Sequence, residues 1–115
     1  MKLLSASANV FRAGCLLLAL TASTLAIAEP EALLVIKNHK FEPAEVRVPA
    51  GQRVKLTVHN QDSTPEEFES HQLNREKMIA GNGRAVIYVG PLSPGKYPFY
   101  GEFHEDTARG VLVAE

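Results

Sequence analysis

The stretch "FEPAEVRVPAGQRVKLTVHN", residues 41–60, decides the fold. Its second half alternates apolar and polar side chains over 54–58. The same alternation, with a period of two residues, is present over 45–48. Such alternation is typical of strands with one face on a core and the other toward water. Pro49, Ala50 and Gly51 mark the turn between the two strands, and Asn60 is expected to end the second strand and fix the turn that follows it.

Similar runs extend along the rest of the chain, at 32–38, 83–90, 94–101 and 110–115. Two shorter strands are expected at 67–70 and 77–80, on either side of a loop or helical turn. Short strands with Pro and Gly between them predict an antiparallel sandwich or barrel. The residues predicted to face its core are Val46, Val48, Val54, Leu56, Val58, Ala85, Ile87, Val89, Tyr97 and Phe99.

Residues 1–28 have the pattern of a secretory signal peptide. Lys2 and Arg12 precede an apolar run over 13–27, and Ala26-Ile27-Ala28 is a small-x-small cleavage site. Cleavage is therefore expected after Ala28. The apolar run is shorter than the roughly 20 residues that span a bilayer comfortably, so no membrane insertion of the mature chain is expected.

The mature domain, residues 29–115, is expected to be exported to an oxidising compartment. Cys15 is the only cysteine and leaves with the signal, so this domain has neither a disulfide nor a thiolate. Removal of Lys2 and Arg12 makes its charge more acidic, and no basic cluster indicates nucleic acid. The sequence contains neither a serine in a nucleophile-elbow context nor a His-Glu-x-x-His motif, so no local motif indicates an enzyme.

The segment "TPEEFES", residues 64–70, contains three carboxylates within four positions. If Phe68 points into the core, Glu67 and Glu69 share the opposite face of the strand, and Glu66 adds a third carboxylate at the loop. Carboxylates so close repel one another, and a cation would relieve the repulsion. They suit hard metal ions, although a solvated acidic strand end has the same composition.

The order of these signals resembles the cupredoxin family. The segment at 41–60 is similar to its opening strands, and "LSPGKYPFYGEFHEDTARGVLV", residues 92–113, is similar to its closing hairpin. The resemblance implies an all-β fold, a Greek-key β-sandwich.

The resemblance also assigns positions to the copper ligands of blue-copper members. The family's Cys falls on Gly101, its closing-loop His on His104, its Met on Ala108, and its upstream His on Glu67. One ligand of four is retained, so the resemblance does not imply a thiolate copper centre.

A narrower resemblance is to the cupredoxin-like domains that accompany bacterial iron permeases, carried by "TPEEFES", "LNREKMIAG" and "GEFHEDTA". It implies a periplasmic metal-binding protein that holds a copper or iron ion. The ion would be passed to, or oxidised for, an inner-membrane iron permease or a periplasmic iron-uptake protein. The Efe-type domain has cysteines absent here, one of them where Phe41 stands.

If the fold is that of the family, the closing loop and the strand at 67–70 meet at one end of the sandwich. His104 is then expected to be a metal ligand beside carboxylates; a surface histidine among acids is the other interpretation. His39 and His59 are expected to be structural and away from this site. The predicted ligands are Glu66, Glu67, Glu69, Glu102 and His104, with His71 and Met78 as further candidates.

Two other functions remain open from the sequence. The sandwich could act as a metal-free docking module of a transport complex. It could also be an atypical copper electron carrier, although the missing thiolate argues against that function.

Overall fold

The computed structural model describes residues 28–115, together with residues 14, 19 and 21. The expected signal peptide, 1–28, therefore lies almost wholly outside the described residues. In the described part, no helix has the length and apolar character needed to cross a membrane. The strands are β1 (Glu31–Lys37), β2 (Lys40–Glu42), β3 (Glu45–Val48), β4 (Val54–Asn60), β5 (Glu66–Ser70), β6 (Arg75–Ile79), β7 (Arg84–Val89), β8 (Gly95–Gly101) and β9 (Arg109–Ala114), with a 3-10 turn at Glu102–His104.

The strands form two sheets packed as a β-sandwich, which confirms the predicted fold class. One sheet has the order β2-β1-β4-β7 and the other β3-β9-β8-β5-β6. The prediction that the strands are all antiparallel is wrong for two pairs, because β1 runs parallel to β4 and β3 parallel to β9. Alternation shows which face of a strand is buried, whereas the direction of its neighbour depends on how the chain crosses between sheets.

The core lies between the two sheets, on the faces that alternation predicts. Val54, Leu56 and Val58 of β4 are at most 1% exposed, and Ile87 and Val89 of β7 are also buried. Val46 and Val48 of β3 are buried as well, whereas Ala85 and Tyr97 are only partly buried.

Three phenylalanines extend this core toward the end of the sandwich where β5 begins. The ring of Phe99 lies 5.0 Å from that of Phe41 and 5.1 Å from that of Phe68, measured between centroids. Such aromatic contacts add to the free energy gained by burying the rings. They fix β5 and β8 side by side, so that the closing loop at 101–108 is held next to β5.

Asn60, the last residue of β4, joins the two sheets near the same end. Its side chain is fully buried, and its amide nitrogen donates a hydrogen bond to the Thr64 carbonyl at 2.8 Å. Its amide oxygen accepts one from the Asp62 nitrogen at 3.0 Å. Asn60 thus ends its strand and fixes the following turn, as its position in the sequence predicts.

Candidate metal centre

The strand β5 directs its acidic side chains to two different faces. Phe68 is completely buried, and Glu66, two positions earlier, is only 1% exposed. Because side chains alternate along a strand, Glu67 and Glu69 lie on the opposite face. Glu66 therefore lies with the core-facing residues, and not beside Glu67 at the loop as the sequence suggested.

Four carboxylates meet on the outer face of β5: Glu67, Glu69, Glu76 and Glu102, here called the acidic cluster. Each offers one oxygen, and the four oxygens lie within 4.8 Å of one another. Glu76 reaches the cluster from β6, where it pairs directly with Glu69, and Glu102 reaches it from the 3-10 turn. The structure brings Glu67, Glu69 and Glu102 together and adds Glu76, which the sequence analysis missed.

Hydrogen bonding, burial and neighbouring charges raise the pKa values of two carboxyl groups in the acidic cluster. The pKa of Glu67 is raised to about 7, first because a proton shared with Glu76 stabilises its neutral form, then because of burial and the charge of Glu102. The pKa of Glu69 is also raised, chiefly by a hydrogen bond with Glu102, then by burial and the Glu102 charge. Protons at these two carboxyl groups lower the repulsion that four charged carboxylates would exert on one another.

Glu67 is the most buried member of the acidic cluster. Its side chain is 9% exposed, and among the described residues its Oε1 atom is buried without a hydrogen-bond partner. Buried polar atoms in folded proteins nearly always have a partner, which is often an ion or an ordered water where no protein group supplies one. A cation among these oxygens would provide that partner.

His104 is turned away from the acidic cluster and toward Glu66. Its Nδ1 atom lies 2.5 Å from Oε2 of Glu66 and donates a hydrogen bond to this carboxyl oxygen. The His39 ring stacks on the His104 ring, with 3.5 Å between centroids and 16° between planes. The expectation that His39 lies away from this end of the sandwich is therefore wrong, because the turn after β1 brings it there.

Glu66, and not the neighbouring Glu67, contacts the start of the closing loop. It lies against Gly101 and Ala108, the positions of the family's Cys and Met. A Cβ atom on Gly101 would come within 2.6 Å of Cδ of Glu66 and 2.8 Å of Cβ of Ala108. The alternation of β5 explains the one-residue difference, because only the inward-facing residue at the start of the strand can reach these two.

The two further candidates lie beside the acidic cluster rather than in it. Met78 is 53% exposed on β6 and pairs directly with Glu67, so it does not fill a core gap. Directly paired side chains are close neighbours on the same sheet face. His71 lines a shallow pocket with Glu69 and Glu76, and its Nε2 atom lies 3.2 Å from the Tyr100 hydroxyl.

A thiolate copper centre does not fit these residues. The only cysteine is Cys15, so the closing loop supplies no sulfur ligand. The carboxyl group of Glu66 fills the space beside Gly101, and it accepts a hydrogen bond from Nδ1 of His104. The oxygens of the acidic cluster, by contrast, suit a hard cation.

Solved structures with a similar fold include several copper proteins. Auracyanin A, a blue copper protein of Chloroflexus aurantiacus, has a TM-score of 0.67 at 15% identity, covering 76% of this chain and 100% of that one. The purple cupredoxin of Nitrosopumilus maritimus has a TM-score of 0.58 at 21% identity, covering 73% and 99%. The metal-binding domain of the Cu(I)-exporting ATPase CopA of Streptococcus pneumoniae D39 has a TM-score of 0.64 at 15% identity, covering 74% and 84%. These likenesses concern the fold alone.

A relative in sequence is an uncharacterized protein of Rickettsia prowazekii (strain Madrid E), 47% identical over 83 residues. The match covers 72% of this chain and 66% of that protein, so the chain spans just under two thirds of its relative. The family model of the cupredoxin-like domain matches residues 10–114. With the two-sheet fold described above, this match shows that the chain belongs to the cupredoxin-like domain family.

Proposed function

We propose that this protein binds an iron ion at the acidic cluster and serves iron uptake from the periplasm. One observation carries the proposal: Oε1 of Glu67 is buried without a hydrogen-bond partner in the described part of the chain, amid three other carboxylates. Burying an unpaired carboxylate oxygen is costly, and a bound cation would offset that cost.

The acidic cluster suits hard or borderline ions better than soft ones such as Cu(I), and the resemblance to domains that accompany iron permeases selects iron among them. All four side chains offer oxygen, the donor that hard ions prefer. The cluster faces outward at one end of the sandwich, on β5, the edge strand β6 and the 3-10 turn. An ion held there is cargo that a second protein can reach.

The partner and the compartment follow from the resemblance and the N-terminal pattern. The signal-peptide pattern supports export, and the acidic segments resemble domains that accompany iron permeases. The partner proposed is therefore an inner-membrane iron permease or a periplasmic iron-uptake protein. Radioactive iron uptake by cells lacking the gene tests this role; it should be restored by the wild-type gene and not by Glu67→Gln.

Copper is a second candidate for the bound metal, because Met78 lies beside the acidic cluster. Its thioether is exposed on the face where Glu67 lies, and thioethers bind Cu(I). If the protein binds copper, Met78→Leu should weaken Cu(I) binding and leave Fe(II) binding unchanged.

Anaerobic calorimetric titration with Fe(II) tests the proposed site directly. The wild type should bind one ion, and Glu67→Gln and Glu76→Gln should each weaken binding at least about tenfold, or roughly 1.4 kcal/mol. The matched control is Glu42→Gln, which removes an exposed carboxylate from β2 in the other sheet. The proposal is wrong if the wild type fails to bind, or if all three variants bind alike.

A further inference from the structure

One buried carboxylate touches the backbone beside two members of the acidic cluster. Oε1 of Glu66 accepts hydrogen bonds from the backbone nitrogen of Glu67 at 3.1 Å and from that of Phe103 at 3.0 Å. The Phe103 nitrogen belongs to the peptide group that follows Glu102. Together with the pairing of Gly101 with Phe68 in the β5–β8 ladder, these two bonds fix how far apart the backbones of Glu67 and Glu102 lie.

Glu102 is the member of the acidic cluster that strand pairing holds least directly. The other three lie on β5 and β6, which are paired residue by residue from Glu66↔Ile79 to Ser70↔Arg75. Glu102 lies instead on the 3-10 turn of the closing loop. The β5–β8 ladder joins this loop to β5 as far as Gly101, which pairs with Phe68. Two further hydrogen bonds, from Gly101 to the Ala108 carbonyl and from Ala108 to the His104 carbonyl, are internal to the loop.

His104 completes the attachment on the other side of the 3-10 turn. Its Nδ1 atom donates to Oε2 of Glu66, so both oxygens of that carboxylate are used. The hydrogen bonds to Glu66, which is 1% exposed, are buried or partly buried, and 25% of the His104 side chain is exposed. They oppose the mutual repulsion of Glu67 and Glu102, which would otherwise push the 3-10 turn away from β5.

We propose that Glu66 and His104 are positioning residues that hold Glu102 in the acidic cluster, and that His104 is not itself a metal ligand. The inference rests on the proposed function, since it concerns the same site. It also accounts for the small residues nearby, because a side chain at Gly101 would meet the Glu66 carboxylate. The loop is thus held to β5 by a glutamate–histidine pair that requires no ion.

Substitutions at His104 distinguish positioning from ligation. His104→Ala should weaken Fe(II) binding about tenfold or more, the usual effect of losing a partner that orients a ligand. His104→Asn should restore most of the affinity, because its amide nitrogen can donate to Glu66 as Nδ1 does. The control His59→Ala, on β4 in the other sheet, should bind as the wild type does.

A double-mutant cycle with Glu102→Gln adds a second readout. If His104 acts through Glu102, His104→Ala should cause little further loss of affinity in the Glu102→Gln background. In the metal-free protein, the Phe103 amide should exchange its hydrogen faster in His104→Ala than in the wild type or His104→Asn.

The outcomes separate this inference from the proposed function. If His104→Ala and His104→Asn weaken binding equally, and the loss persists with Glu102→Gln, His104 is a ligand and only the inference is overturned. If His104→Ala binds Fe(II) as tightly as the wild type does, the inference is overturned as well. A wild type that binds no Fe(II) overturns the proposed function and this inference together.

Discussion

Glu66 and Glu67 are neighbours in the chain, and both bury their carboxyl groups, but their surroundings differ. Glu66 receives hydrogen bonds from two backbone nitrogens and one imidazole. Glu67 faces other carboxylates, and its Oε1 atom has no hydrogen-bond partner in the part of the chain that the structure describes. Donors stabilise a buried charge, and like charges disfavour it. Glu67 is therefore the residue at which a change of pH is expected to act most strongly on this protein.

The metal-free protein should lose stability as the pH rises from about 4.5 to about 7. The pKa of Glu67 is raised from 4.5 to about 7 in the folded state. Between these values the folded state keeps a proton that the unfolded state releases, so the free energy of unfolding falls with rising pH. This contribution is complete below the lower pKa and lost above the upper one. The raised pKa of Glu69 acts in the same direction.

Urea unfolding in the presence of a chelator, across this pH range, measures the effect. Glu67→Gln removes the titrating group and should flatten the profile, whereas Glu42→Gln on β2 should keep the slope of the wild type. Stability that rises across the same range in the wild type would contradict the prediction.

Gly101→Ala should destabilise the protein by about 1–3 kcal/mol, the usual cost of overpacking a filled site. The new Cβ atom would lie 2.6 Å from Cδ of Glu66 and 2.8 Å from Cβ of Ala108, too close for either to remain in place. Gly95→Ala in the same strand is the matched control, because its nearest neighbour would be Cε2 of Tyr97 at 3.8 Å. Equal urea midpoints for the two variants would show that the space beside Gly101 can adapt.

Among the secondary-structure elements, the hairpin of β5 and β6 shows what the sequence can and cannot predict. Alternation predicts the buried faces of β3, β4 and β7, because burial on one side of a strand leaves a period of two. It does not predict that Glu76 joins the acidic cluster, since the Glu69↔Glu76 pairing depends on the turn at 71–74. Nor does it predict that His104 meets Glu66, a contact made between residues 38 positions apart.

Asn60→Ala should destabilise the protein by about 2–3 kcal/mol, because three buried or partly buried hydrogen bonds would be lost together. The side-chain amide donates to the carbonyls of Thr64, Ile79 and Ala80, at 2.8, 3.4 and 3.3 Å. These bonds join the end of β4 to the loop before β5 and to the end of β6. The free energy of unfolding measures the loss; His59→Ala, at the neighbouring and partly exposed position, should cost much less.

For the whole molecule, the apolar core and the acidic cluster lie apart. Buried side chains of both sheets form one cluster from Leu34 of β1 to Leu112 of β9, and the three phenylalanine rings belong to it. The acidic cluster lies on the outer face of this structure. Removing an ion from there would uncover charges without opening the core.

Chelator-treated protein should therefore keep its β-type circular dichroism and unfold cooperatively. Fe(II) should then raise the stability by mass action, by about 2.7 kcal/mol when the free ion is at one hundred times its Kd. Calorimetric unfolding with and without Fe(II) checks both points, and Glu67→Gln should show the smaller increase. Loss of the circular dichroism signal on chelation would mean that the fold depends on the metal.

The exposure of the acidic cluster has a consequence for exchange kinetics. Glu69 is half-buried, while Glu76 and Glu102 are exposed on the outer face. An ion coordinated there keeps a side that an incoming donor group can approach. Transfer can then be associative: the acceptor's ligands replace the carboxylates one at a time, and the sandwich stays closed. The rate of release would rise with acceptor concentration instead of being limited by a conformational opening.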